Sequence, residues 1–235
     1  GLLHAAAAYE VPRLVWSNLT LYKKDMHDVP VSEDNFDLVI KLGELGSSFS
    51  VDRESTPGRR VTIPPFTMLK DEDLLDRNAA RDALGLDQEG RYVLFSLGPG
   101  NLKDISGIGR GLVDEMTQRG YTVVWARAPI SATDVSLPDG VIQITQFPLL
   151  RIMRAFDICV AAAGYNTCCE VIQSRVPTLF VPNTEVNDDQ TARAHLVAQA
   201  VPAVVSPCET PEQRADAVAG LLAARNSERA DASAI

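Results

Sequence analysis

The sequence is short of basic side chains: among 235 residues, 22 Lys and Arg stand against 31 Asp and Glu, giving a formal charge of −9 and a sequence pI near 4.8. That deficit argues against nucleic acid as the partner, because binding a phosphate backbone takes clustered Lys and Arg. It leaves room for a small anion held by backbone N–H groups. No apolar run approaches the roughly 20 residues that span a bilayer, and nothing at the amino terminus resembles a signal peptide, so a cytoplasmic protein is expected. Cysteine is sparse, with Cys159, Cys168, Cys169 and Cys208 the only four. No pair has the spacing of a zinc site, and a domain of this size needs no disulfide, so they read as small core residues. A reactive thiol at Cys168 or Cys169, near a helix start, is the less favoured reading. An Asp-x-Asp metal motif is also missing, and neither metal nor cofactor is expected. The chain opens at Gly1 rather than Met and enters an Ala run at once, which reads as part of a longer polypeptide.

With 46% hydrophobic residues, the chain can bury one large core or two smaller ones. A helix over Leu2–Tyr9 and strands over Pro12–Trp16 and Asp37–Lys41 are expected in the first 65 residues, too few strands to close a sheet. Residues 1–65 therefore read as the carboxyl-terminal part of an incomplete α/β domain. Val61–Ile63 runs into Pro64 and Pro65, which suggests a boundary or hinge, with a linker over 66–80. The charged stretch Lys70–Asp87 carries Ala and Leu at helical spacing. Trp16–Lys24 mixes aromatic, apolar and lysine residues in a way that suits an anionic membrane surface, but a loop after a strand is the simpler reading.

From residue 81 onward the pattern is regular. Apolar runs at Tyr92–Leu97, Thr122–Ala126, Val141–Ile144, Ile158–Ala162, Thr178–Val181 and Ala203–Val205 recur every 20 to 30 residues. Helical patterns separate them, over Ile105–Arg119, Leu149–Ala155, Tyr165–Arg175, Asp188–Ala200 and Pro211–Ala224. Short apolar strands alternating with amphipathic helices, with no hairpin turns, predict a Rossmann-like parallel sheet with helices on both faces over 81–235. Ligands of such folds bind outside the carboxyl ends of the strands.

Three loops at those ends carry candidate chemistry. Gly98-Pro99-Gly100 follows the first strand; it is neither a dinucleotide fingerprint, since Lys103 stands where a third glycine belongs, nor a Walker loop. Gly164-Tyr165-Asn166-Thr167 opens a helix, and Glu170 lies one turn further on. Locally, Thr167-x-x-Glu170 satisfies a capping box. Functionally, Asn166 and Thr167 suit a phosphate at a positive helix end, and Glu170, projecting away from the sheet-facing stripe, suits two vicinal ribose hydroxyls. Asn187-Asp188-Asp189-Gln190 repeats the ambiguity, with Asn187 as cap and Gln190 at the third helical position, or with Asp189 and Gln190 facing sugar hydroxyls. The residues alone leave both readings open.

Taken together, these segments resemble the donor-binding half of the GT-B glycosyltransferases, enzymes built from two Rossmann-like domains that use nucleotide sugars. The likeness covers roughly residues 61–225. Its most specific part is Gly164-Tyr165-Asn166-Thr167-x-x-Glu170, followed by Pro177, Pro182 and then Asp189-Gln190. UDP-glycosyltransferases carry Gly-Trp-Asn-Ser-x-x-Glu and a later Asp-Gln; MurG-like N-acetylglucosaminyltransferases carry Ser-Gly-Ala-x-Thr-x-x-Glu and a later glutamine. The resemblance implies that Gly98, Pro99 and Gly100 lie near the phosphates, that Gly164, Tyr165, Asn166 and Thr167 hold the diphosphate, and that Glu170 holds the ribose. It further implies that Asp189 and Gln190 face the transferred sugar and that the base lies against Gln146, Phe147 and Pro148.

The sequence departs from the family at Ala162, where many relatives place a basic residue or histidine, and at Pro99, where a serine is usual. The resemblance puts the catalytic base in the amino-terminal domain, of which only the tail matches. His4 and His27 fall too late in it to fit, and His195 reads as a surface or packing residue. No catalytic base is therefore named. The implied activity is metal-independent, inverting transfer from a UDP-sugar to an acceptor hydroxyl, on a cell-envelope or lipid-linked acceptor. That acceptor would place the protein at the inner face of the membrane, as a peripheral contact. A non-hydrolysing UDP-N-acetylglucosamine 2-epimerase, or a donor-binding subunit that needs a partner chain, are the alternatives.

Overall fold

A computed structural model describes residues 9, 13–19, 35–43, 60–98, 105–127, 137–184 and 188–233. The chain divides into two compact units: Gly1–Phe66 with Val186–Asp189, and Thr67–Glu185 with Gln190–Ile235. The first holds a parallel three-stranded sheet in the order β1-β2-β3, formed by Val15–Leu19, Leu38–Leu42 and Arg60–Ile63. Trp16 pairs with Val39, and Ile40 with Val61. The first strand thus starts three residues beyond the expected Pro12; residues 20–24 and the expected helix over 2–8 lie outside the described residues.

The second unit is a six-stranded, wholly parallel sheet. Its strands are β4 (Tyr92–Ser96), β5 (Thr122–Ala126), β6 (Ile142–Ile144), β7 (Ile158–Ala161), β8 (Thr178–Phe180) and β9 (Ala203–Val205), in the order β6-β5-β4-β7-β8-β9. After β4 the chain builds outward to β6 and then returns to lay β7 on the other side of β4. The order therefore reverses between β4 and β7, where doubly wound sheets open their ligand crevice. The central strands are buried on both faces: Val93, Leu94, Phe95, Ile158, Cys159, Val160, Ala161 and Leu179 have no exposed surface. This is why they read as continuous apolar runs rather than alternating ones.

The α-helices are α1 (Arg77–Leu84), α2 (Arg110–Gln118), α3 (Tyr165–Ser174), α4 (Gln190–Val197) and α5 (Pro211–Ser233). Asp76 caps α1 by accepting from the Ala79 N–H at 2.9 Å, and Gly85, at φ 66°, closes it in the left-handed conformation. Two expected α-helices differ in form. Ile105–Gly109 makes a π-helical turn before α2 begins, and Leu149–Ala155 is a 3₁₀ helix that buries Leu150, Ile152, Met153 and Ala155. A 3₁₀ helix rises further per residue than an α-helix, so the short connection from β6 reaches β7 while burying these side chains. Residues 67–75, expected in a linker, are fastened to the second unit: Gln173 Nε2 donates to Leu69 O at 3.0 Å, Leu75 N donates to Arg151 O at 3.0 Å, and Leu74 is buried.

One carboxylate ties the amino-terminal end of this sheet together. Asp157 immediately precedes β7, and its side chain is 1% exposed. It accepts from Arg77 Nη2 at 3.0 Å, Arg81 Nη2 at 3.2 Å, Arg225 Nη2 at 2.7 Å and the Tyr92 N–H at 2.9 Å. Arg225 also donates to the Tyr121 hydroxyl at 3.1 Å, and Arg81 to the Ala155 carbonyl at 2.9 Å. Burial alone would raise the Asp157 carboxyl, but the Tyr92 amide and the arginines outweigh it and hold it below the usual carboxylate range.

Removing one member of a buried charge cluster leaves the others uncompensated, at a cost of about 3–5 kcal/mol. Asp157→Asn is accordingly expected to lower the unfolding free energy by that amount, read as a lower urea midpoint at unchanged slope. Because the folded carboxyl is depressed, its stabilisation is present above the unfolded pKa and is lost as pH falls through the folded one. The parent and the variant should therefore converge in acid. Equal midpoints at neutral pH would show that the cluster contributes nothing net.

Candidate functional site

The crevice between β4 and β7 is lined by the loops that leave their carboxyl ends. Ser96 pairs with Ala161, the Ala162 N–H donates to Ser96 O at 3.1 Å, and the Val181 N–H donates to Ala161 O at 2.9 Å. The loops after β4, β7 and β8 thus leave the sheet side by side. Gly98 stands in the first of them at φ 71°, a left-handed conformation that favours glycine. Pro99 and Gly100 lie outside the described residues. The Gln146–Pro148 loop follows β6, two strands away from β4, and there the Phe147 ring is 64% exposed.

The start of α3 differs from a capping box. Gly164, in extended conformation at φ −64° and ψ 151°, is the N-cap, and no side chain caps the helix. Thr167 is therefore the third helical residue, and Glu170 lies too far along to fold back on the cap. The first intrahelical bond runs from the Cys168 N–H to Gly164 O at 3.0 Å, so the amides of Tyr165, Asn166 and Thr167 have no acceptor within the helix. Glycine is not needed here for the fold. The backbone angles suit any residue, and among the described residues a Cβ on Gly164 would meet nothing within 4 Å. Among the described residues, open space thus faces the Gly164 Cα at the positive end of a helix, an arrangement that favours an anion.

Asn166 is exposed, while Tyr165, Cys168, Cys169, Val171 and Ser174 are buried. Glu170 occupies the strip beside Asn166, four residues on, and is half-buried rather than fully turned to solvent. Among the described residues no hydrogen bond or ion pair engages its carboxylate, and burial pushes it up to about 7. It sits near enough to Cys159 in β7 to reinforce the effect of burial, which pushes that thiol up to about 12. Cys208 is likewise raised, chiefly by burial, and all four cysteines are buried and outside any disulfide, as small core residues should be.

The helix start at α4 also differs from expectation. Gln190 is the first helical residue, not the third, and only 9% exposed; its Oε1 accepts from the Asn183 N–H at 2.9 Å, bracing the loop after β8. Asp189 immediately precedes the helix and groups with the first unit, whereas Gln190 belongs to the second. Asn187 lies outside the described residues. Three residues into α4, Arg193 is fully buried, which the sequence reading missed. Its Nη1 donates to Ala163 O at 3.3 Å, and its guanidinium lies 5.5 Å from the centroid of the Tyr165 ring. Nothing in the residue pattern around a short, weakly amphipathic helix marks it out. His195 is exposed on α4. Among the described residues, no cluster of His, Cys, Asp or Glu is arranged to hold a metal, and no helix is long and apolar enough to cross a membrane.

Residues 116–234, half of the 235-residue chain, match the glycosyltransferase family 28 C-terminal domain. The chain belongs to that family. The match takes in β5 to α5, and with them α3 and Glu170. The family 28 chain is 28% identical over 170 residues to the UDP-N-acetylglucosamine–N-acetylmuramyl-(pentapeptide) pyrophosphoryl-undecaprenol N-acetylglucosamine transferase of Corynebacterium glutamicum strain R, covering 69% of this chain and 46% of that protein. It is 26% identical over 133 residues to the enzyme of the same name from Rhodococcus erythropolis, covering 55% and 34%. The chain thus spans about half the length, or less, of these curated relatives. Among solved structures, the spinosyn forosaminyltransferase SpnP superposes with a TM-score of 0.55 at 14% identity, covering 94% of this chain and 69% of that one. The spinosyn rhamnosyltransferase SpnG superposes with a TM-score of 0.53 at 20% identity, covering 85% and 53%. The fold of this family 28 chain is that of the GT-B glycosyltransferases.

The Glu170 carboxyl binds its proton more tightly folded than unfolded. The stability this confers is complete below the ordinary carboxylate range and is lost as pH rises through about 7. Glu170→Gln, neutral at every pH, should therefore melt several degrees above the parent at pH 8 and show a much smaller gain at pH 5. A melting difference that is the same at both pH values would refute a buried, ionising carboxyl.

Proposed function

We propose that the chain is the donor-binding half of a UDP-sugar glycosyltransferase, with the diphosphate against the first turn of α3 and the ribose hydroxyls on Glu170. The observation that carries this reading is the open space at Gly164 among the described residues, at the positive end of the helix that follows β7, beside the β4–β7 reversal. A half-buried carboxylate one turn on, with no hydrogen-bond or ion-pair partner among the described residues, supports it further, since ionised Glu170 accepts hydrogen bonds from two hydroxyls at once.

In this reading Gly98, Pro99 and Gly100 border the phosphates, and the exposed ring of Phe147 takes one face of the base. Gln190, whose amide oxygen braces Asn183, keeps its Nε2 for the transferred sugar, alongside Asp189. As the glycosidic bond breaks, negative charge grows on the departing diphosphate. The α3 amides stabilise it without reorganising, which is electrostatic preorganisation. The transfer is inverting: an acceptor hydroxyl, losing its proton to a base supplied by the acceptor half, attacks the anomeric carbon from the face opposite the leaving group. Exposed His195 is not that base.

The names of these relatives' activities support N-acetylglucosamine as the donor sugar and a lipid-linked acceptor. They thereby support a cytoplasmic protein in peripheral contact with the inner membrane face. Membership of a glycosyltransferase family favours transfer over epimerisation.

Calorimetry with UDP tests the site. Gly164→Ala is expected to leave Tm nearly unchanged, because its Cβ enters open space, yet to weaken UDP binding about tenfold, roughly 1.4 kcal/mol. Glu170→Ala should weaken it by a similar factor. In the parent, affinity should climb between pH 6 and 8 as Glu170 ionises, a rise that Glu170→Gln lacks. Unchanged affinity in both Gly164→Ala and Glu170→Ala would remove the diphosphate and ribose assignments together.

A further inference from the structure

α4 carries two buried polar side chains on its first turn, and each is spent on the backbone of a different loop. Gln190 holds the loop after β8 through Asn183. Arg193 reaches the loop after β7, donating to the carbonyl of Ala163, the residue just before the α3 cap, and its guanidinium lies over the ring of Tyr165, the first residue of that helix. Arg193 has no exposed surface and Tyr165 only 7%, so neither side chain meets solvent or a ligand directly. A planar guanidinium can stack on a ring and donate in its own plane at once, which fixes two neighbouring groups relative to each other.

We infer that Arg193 is a positioning residue for donor binding, setting the direction of the α3 first-turn amides and coupling the diphosphate cradle to the sugar-facing start of α4. The inference rests on the proposed donor site. Its content is that a side chain out of reach of the ligand decides how well the diphosphate is held. The carbonyl of Ala163 and the ring of Tyr165 flank Gly164 on either side, so Arg193 grips the cap by both neighbours. Losing that grip allows the peptide planes at the cap to rotate, which misaligns amides that must converge on one phosphate. A displacement of about 1 Å at a positioned contact is enough to cost a large factor in function. The nucleoside end of the donor, held by Glu170 and the Phe147 loop, does not depend on this clamp.

The test compares UDP with uridine, by calorimetry, on the full chain. Arg193→Gln is expected to weaken UDP binding at least tenfold while uridine binding changes by less than about twofold, and Arg193→Lys, which keeps one donor, should recover part of the loss. Should Arg193→Gln fold poorly, Tyr165→Leu removes the ring from under the guanidinium and reads the same UDP-to-uridine ratio. Equal loss for both ligands would assign Arg193 a general structural role and overturn the inference. So would unchanged UDP binding in Arg193→Gln and Tyr165→Leu alike, and either outcome would leave the donor site itself standing. If the parent chain binds neither UDP nor uridine, the donor-site reading fails, and this inference with it.

Discussion

Asp157 is the point on which the larger unit turns. A single buried carboxylate receives a guanidinium from α5, two from α1 and an amide from β4, so four segments far apart in sequence share one set of oxygens. Such a cluster tolerates little change in spacing, because any member that withdraws strands the charge of the rest in a low-dielectric interior. It fixes where β4 and β7 begin relative to each other and therefore also where they end. Since β4 and β7 are the strands between which the order reverses, the register held by Asp157 at one end of the sheet also sets how the loops after them are offset at the other. The sheet accordingly divides its labour, with charge pairing at the amino-terminal edge and the positive end of a helix at the carboxyl edge.

That division explains how an acidic protein can present an anion site. The formal charge of −9 is a property of the whole surface, whereas in the proposed donor site the α3 first turn would act at short range, through the partial charges of its backbone amides. At that range the local dipoles outweigh distant carboxylates screened by water and salt. Glu170 is the exception, a carboxylate inside the proposed site. Burial keeps its proton affinity near neutrality, so it adds little repulsion until hydroxyls arrive to hydrogen-bond its ionised form.

The parallel sheet was legible because its strands are buried on both faces: Val93–Phe95 and Ile158–Ala161 appear as unbroken apolar runs, and the six strands fall within a residue or two of expectation. The helix frames were less legible. Thr167-x-x-Glu170 has the letters of a capping box, but the extended backbone continues through Gly164 and the helix starts at Tyr165, three residues earlier than that pattern requires. A capping pattern names residue types without fixing the turn at which they fall. Gln190 shows the same failure in reverse, expected inside a helix that in fact begins with it. Asp157 and Arg193 were not legible at all. The Asp157 partners lie 65 or more residues away, and Arg193 on a short, weakly patterned helix resembles any surface arginine until the fold closes over it.

α3 is enclosed on nearly every side. Five of its ten residues are buried, Gln173 is bonded to the Leu69 carbonyl, and Asn166 is its one fully exposed residue. Almost any substitution along it disturbs packing before it alters recognition, which leaves little freedom for divergence on the helix itself. Lineages descending from this scaffold that acquire new donor preferences would have to write them into the loops after β4, β6 and β8, and inherit α3 nearly intact. The helix is in that sense the slow clock of the site, and the loops around it the fast ones.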